Sequence, residues 1–139
     1  MIKPLSDEEA RALLRQGRIG RLGCIADDGP YVVPVSYIFE GDSIYIHSLT
    51  GRKIKAMRAN PRACLQVDDI KDEYHWRSAI AFGRYEEISD SDERARALDD
   101  LLKQFPHLTP IESVPVHDGQ SSVIVFRIRV EEVSGVGEL

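Results

Sequence analysis

Ser48, Thr50, Gly51, Arg52 and Lys53 fall within six consecutive residues, where an alternating apolar run gives way to a helical one. Two hydroxyls, a glycine and two cations in that order can surround an anion. The hydroxyls donate to phosphate oxygens, and Gly51 lets the backbone come close. Arg52 offers a bidentate fork and Lys53 a second positive charge. The helix that begins here opens on Arg52, Lys53 and Lys55. Cations at that end oppose the helix dipole at a cost of about a few tenths of a kcal/mol each. A bound phosphate offsets that cost, because the free N–H groups of a first helical turn already favour an anion. The alternative is a solvated basic turn, since the spacing lacks the glycine-rich fingerprint of triphosphate or dinucleotide sites.

Other residues near this turn could also do chemistry. His47 ends the preceding strand and shares a pleat face with Tyr45, so it either meets a ligand, with a proton to give or take, or bonds to neighbouring backbone. Val32-Val33-Pro34-Val35-Ser36-Tyr37 is a nearly continuous apolar strand. It is either core or a wall along which a flat aromatic ligand lies, its polar edge on backbone groups. Trp76, the one tryptophan, covers a ligand, anchors an interface or packs in the core. Cys24 and Cys64 have no neighbouring base and read as buried free thiols in a reducing compartment. His75, His107 and His117 show no metal-ligand spacing, so no metal is expected. Ser36 and Ser121 lack a nucleophile-elbow context, which leaves a hydrolase unsupported.

The elements that must position these residues follow from the pattern. Ser6-Asp7-Glu8-Glu9 is a capping box and predicts a helix over 6–16, with Ala10, Leu13 and Leu14 as its stripe, ended by Gly17. Strands are predicted over 20–26, 31–39 and 44–48, joined by turns at 27–29 and 40–43 into an antiparallel meander. Pro34 removes a ladder donor, so its strand lies at an edge, carries a bulge or turns its backbone to a ligand. The helix over 51–60 buries Ile54 and Met57 and stops at Asn60-Pro61. A strand over 63–67, a polar loop over 68–77 and a long strand over 78–88 come next. The helix over 89–105 is expected to bury Ala95, Leu98, Leu101 and Leu102. Residues 106–120 hold three prolines and read as a long loop over a site or a barrel end. A last strand over 122–132 precedes a tail, 133–139, expected to fray. Six mostly antiparallel strands with helices between them make a mainly β, α+β fold: one domain over 1–139, a closed or split barrel at 18–132 with peripheral helices.

Composition sets the outer limits. A chain of 139 residues, 42% hydrophobic and 29% charged, can bury a core without staples. Its net charge of -5 argues against general nucleic-acid binding. No apolar run approaches a membrane span or a signal peptide, so a cytoplasmic protein is expected.

Taken together, the run Val32–Tyr37, the turn at Gly41-Asp42, the strand Ile44–His47, Gly51-Arg52-Lys53, Asn60-Pro61-Arg62 and Ser78–Arg84 resemble the pyridoxamine 5'-phosphate oxidase-like flavoproteins, the FMN-binding split barrels. Within them the chain looks most like the branch of the nitroimidazole-resistance proteins. The resemblance is good over 17–88 and architectural beyond. It implies a homodimer with FMN at the interface. Arg52 and Lys53 would hold its phosphate, helped by Ser48, Thr50 and Gly51. Val33, Pro34, Val35 and Ser36 would lie along the ring, His47 near the flavin as the candidate for proton transfer, and Trp76 would complete the pocket from the partner. The implied activity is a flavin oxidoreductase with a small-molecule electron donor and a small acceptor, such as a nitroaromatic or a quinone. The alternatives are a non-catalytic flavin-binding module and a deazaflavin- or haem-binding split barrel. The chain lacks the basic C-terminal segment with which true oxidases of this kind hold the substrate phosphate, and Arg127-Ile128-Arg129 does not replace it.

Overall fold

The structure, a computed structural model, describes residues 1–105 and 123–138. The expected loop over 106–120, with His107 and His117, and Ser121 after it lie outside the described residues. Eleven elements follow in order: β1 (Ile2–Pro4), α1 (Asp7–Gln16), β2 (Ile19–Ala26), β3 (Gly29–Ser36), β4 (Ile38–Glu40), β5 (Ser43–Leu49), α2 (Arg52–Ala59), β6 (Arg62–Asp72), β7 (His75–Glu87), α3 (Ser91–Gln104) and β8 (Val123–Glu138). The strands form one antiparallel sheet in the order β3-β2-β6-β7-β8-β5-β4, with β1 added on β8. It is the split antiparallel barrel expected, with more strands.

The capping box at the start of α1 is real: Ser6 Oγ accepts from the Glu9 N–H at 3.1 Å, and the Glu9 carboxylate accepts from the Ser6 N–H at 2.9 Å. Ala10, Leu13 and Leu14 are its buried face. Gly17 caps the other end in an extended conformation, φ -69°. A side chain is excluded there by proximity instead: a Cβ on Gly17 would sit 2.1 Å from the Tyr37 hydroxyl.

Tyr37 also explains why the single strand expected over 31–39 is two. Its side chain is fully buried and its hydroxyl donates to the Leu14 carbonyl of α1. The chain turns inward there. β3 and β4 therefore lie at opposite ends of the strand order, joined only through Tyr37. Pro34 is accommodated because β3 pairs on one side alone, with β2.

Three further expectations change. The polar loop at 68–77 is the continuation of β6 and β7, closed by a short turn in which Asp72 accepts from the Tyr74 N–H at 2.8 Å. Its charges are paired across strands, Arg21 to Asp68 at 3.2 Å and Arg77 to Asp69 at 3.1 Å, so a polar sequence can be strand. The tail does not fray: β8 runs to Glu138, laddered to β7 on one side and β1 on the other. In α3 the buried residues are Ala97 and Leu101 with Leu98 partly covered, while Ala95 and Leu102 are exposed. Arg94, which donates to the Val123 carbonyl at 2.8 Å, fixes that rotation.

Leu22, Val35, Ile44, Ile46, Ile54, Met57, Leu65, Phe126 and Ile128 fill the interior. α1 packs on β7 and β8, and α2 on β2. Part of the opposite face of the sheet is apolar and open: Val32, Gly23, Cys64 and Phe82 stand in one cross-strand row, with Ile25 two residues along β2 from Gly23. Among the described residues no helix is long and apolar enough to cross a membrane.

Candidate functional site

The site begins with an interruption in strand pairing. β4 pairs with β5 through Ile38↔Tyr45, Phe39↔Ile44 and Glu40↔Ser43. Continued past Tyr37, the same register would set Ser36 opposite His47. The pairing is not continued, and β3 and β5 diverge. The barrel is split at this place.

Both residues flanking the split carry a buried polar atom with no partner. Ser36 is 2% exposed and His47 9% exposed. Ser36 Oγ and His47 Nδ1 are the two such side-chain atoms among the described residues. Leaving one unmade costs about 1–3 kcal/mol, so each of the two atoms wants a bond that the described residues do not supply. His47 stands on the β5 face of Tyr45, cross-strand from Val125. Burial, and then the Lys53 charge, push its pKa below the ordinary histidine value, so the ring is neutral at neutral pH.

On β3 the pleat divides the expected wall. Val33 and Val35 point into the core. Pro34 faces outward and is exposed, as Val32 is, and Ser36 belongs to the same alternation. A ligand along this strand would meet the side chains of Pro34 and Ser36 and only the backbone of Val33 and Val35.

The basic turn follows directly from β5. Gly51 is the N-cap of α2, without a side-chain cap bond, and the first turn holds no acidic residue. Ser48 is buried and donates to the Leu49 carbonyl at 2.8 Å, so it does not cap the helix. Thr50 and Gly51 are exposed. Lys53 is half-buried, and its charge acts on both His47 and Cys24. Arg52 reaches across to the β2–β3 turn: its Nη2 donates to both Asp28 oxygens, at 2.9 and 2.8 Å, and its guanidinium lies 5.1 Å over the Tyr31 ring. The two cations thus differ: the charge of Lys53 acts on His47 and Cys24, and Arg52 is tied to the neighbouring turn.

Two expected features stand apart from this group. Trp76 is the second residue of β7, cross-strand from Ile70 and Glu138, whereas Arg84, eight residues on, pairs with Arg62 where α2 feeds into β6. Strand rise separates those ends by roughly 27 Å, so Trp76 does not reach the α2 turn of its own protomer. The cysteines stand on adjacent strands, and burial raises both thiol pKa values, so neither is a ready thiolate. A recess of about 220 Å³ between β4–β5 and α3, lined by Glu40, Tyr45, Glu93, Arg96 and Asp100 among others, includes neither orphaned atom. Asp28 and Tyr31 are the contributors that sequence reading missed. Asp27-Asp28-Gly29 announces a turn, and nothing in the linear chain ties it to residue 52.

Known proteins share this fold. A solved FAD-binding protein from Mesorhizobium loti is 34% identical, with a TM-score of 0.87 covering 100% of this chain and 99% of that one. Flavocytochrome Anf3 from Azotobacter vinelandii is 26% identical at a TM-score of 0.75, over 99% of this chain and 69% of that one. A candidate 5-nitroimidazole resistance protein from Bacteroides thetaiotaomicron shares the fold, at 23% identity and a TM-score of 0.75, over 99% and 89% of the two chains. An uncharacterized protein of Rhizobium meliloti, RA0666, is 33% identical over 96% of this chain and 93% of its own length. The family model described as pyridoxamine 5'-phosphate oxidase matches residues 6–136, and the chain belongs to that family.

Proposed function

We propose that this protein binds a flavin, FMN, at the split, as a homodimer, and acts as a small flavin oxidoreductase on acceptors such as nitroaromatics or quinones. The observation that carries the reading is the pair of orphaned atoms, Ser36 Oγ and His47 Nδ1, with His47 four residues ahead of an uncapped cationic helix start and within reach of the Lys53 charge. One end of the site wants an anion; the other wants a flat group with a polar edge. The Mesorhizobium relative, an FAD-binding protein, and the flavocytochrome support the cofactor class.

The residues present fit that group. Arg52 and Lys53 hold the phosphate, with the Thr50 hydroxyl and the N–H groups that open α2. The Ser36 hydroxyl and His47 Nδ1 bond the polar edge of the ring, and the backbone of 33–36 lies along it. A bound flavin supplies the redox chemistry. The neutral His47 imidazole holds or accepts a proton at Nδ1. A second copy, seated on the open apolar face, excludes water and brings its own Trp76 toward the site.

The absorption spectrum of the protein as purified tests the cofactor: flavin bands are expected, whereas a deazaflavin band or a Soret band overturns the reading. Exchange of the bound cofactor and reduction by NAD(P)H separate an enzyme from a storage module. Replacing Arg52 and Lys53 together with alanine removes two charge-assisted contacts and should weaken FMN binding about a hundredfold.

A further inference from the structure

Arg52 does not wait alone for an anion. The β2–β3 turn already supplies one, Asp28. Gly29, the next residue, has φ +127°, a conformation that only glycine adopts easily. Both Asp28 oxygens accept from Arg52 Nη2, at 2.9 and 2.8 Å, while Tyr31 backs the guanidinium at 5.1 Å. The side chains are 58% and 73% exposed, so nothing buried fixes the pair. An incoming phosphate either displaces Asp28 from Arg52 or shares the guanidinium with it. In the second case a carboxylate and a phosphate lie on one small cation, and they repel.

We propose that Asp28 is a specificity-determining residue of this site: its carboxylate competes with and repels the ligand phosphate, so FMN binds the native chain less tightly than it would without that charge, while FAD and riboflavin are affected less. The inference rests on the flavin reading above. Repulsion grows with the charge on the nearest phosphate. It is greatest for FMN, whose terminal group carries two charges. It is smaller for FAD, whose phosphates carry one each, and absent for riboflavin.

The test is the dissociation constant of riboflavin, FMN and FAD for the ligand-stripped full chain, read by quenching of flavin fluorescence. Asp28→Asn keeps the turn and removes the charge. FMN affinity should rise about fivefold and FAD about twofold, with riboflavin unchanged, as expected for one exposed charge pair. The FMN gain should shrink at high salt. Asp28→Ser should behave alike if the charge is what matters. An FMN affinity that is unchanged or falls overturns the proposal, because Asp28 would then be a bystander or a buttress for Arg52. An equal gain for riboflavin overturns it as well. Arg52→Ala separates the two levels of inference. If it leaves FMN binding untouched the phosphate-site reading itself fails; if it weakens FMN while Asp28→Asn does nothing, only the specificity claim fails.

Discussion

Replacing Ser36 by alanine should make the ligand-free protein more stable and leave the flavin-loaded protein about as stable as the parent. The residue is 2% exposed and its hydroxyl has no partner. In the empty chain the hydroxyl is desolvated without compensation, at a cost of about 1–3 kcal/mol. Alanine removes it and leaves only a small void, so a net gain of about 1 kcal/mol is expected in the stripped protein. For a chain of this size that is roughly a 3 °C rise in midpoint. With flavin saturating, the hydroxyl has its bond, and its loss costs about 1 kcal/mol of binding, near fivefold in Kd. The assay is a pair of thermal melts, stripped and loaded, followed by circular dichroism. A variant that melts lower than the parent in both states would refute the reasoning. It would mean that Ser36 has a partner inside the fold and that the split makes no demand for a polar ligand.

Other expectations are shorter to state. Tyr37→Phe leaves the Leu14 carbonyl buried without its donor and should cost about 1–3 kcal/mol. Gly17→Ala should be poorly tolerated alone yet better tolerated beside Tyr37→Phe, because the clashing atom is the hydroxyl; denaturant titration of the double-mutant cycle reads that coupling. His47 has a pKa below its unfolded value. The unfolded chain therefore takes up a proton first as pH falls. Stability is full above about pH 6.5 and declines below it, and His47→Gln should flatten the melting temperature between pH 7.5 and 5.5. Val32→Arg or Phe82→Arg places a charge on the open apolar face and should convert a dimer into monomers on size exclusion, with flavin lost in parallel.

The basic turn and His47 were legible because their evidence is local: a change of period, a helix that opens on cations, a histidine at a strand end. Local evidence also gave α1, whose capping box needs four residues. The errors came where pairing decided the outcome. The 68–77 segment reads as a polar loop in isolation, and only its partners on β2 and across the hairpin turn Asp68 and Asp69 into strand residues. The tail reads as frayed until β7 and β1 are beside it. Asp28 was invisible as a site residue because 24 positions separate it from Arg52. The division of 33–36 into core-facing and outward side chains needed the register of β3 on β2.

One residue connects the fold to the site. An antiparallel ladder between β3 and β5 would close the barrel, satisfy their edges and leave no place for a ligand. Tyr37 prevents it. Its ring is drawn into the core and its hydroxyl is tied to α1, so the chain cannot run straight from β3 into β4. The consequence is a gap flanked by Ser36 and His47, each desolvated by the packing around it and each without a bond. The same five-residue stretch that leaves His47 at the edge of β5 starts α2, whose first N–H groups have no side-chain cap. A polar recess and an anion seat are thus outcomes of one interrupted ladder, at neighbouring points on the chain. Chemistry at this place follows from where pairing stops; the barrel wall elsewhere spends its backbone on itself.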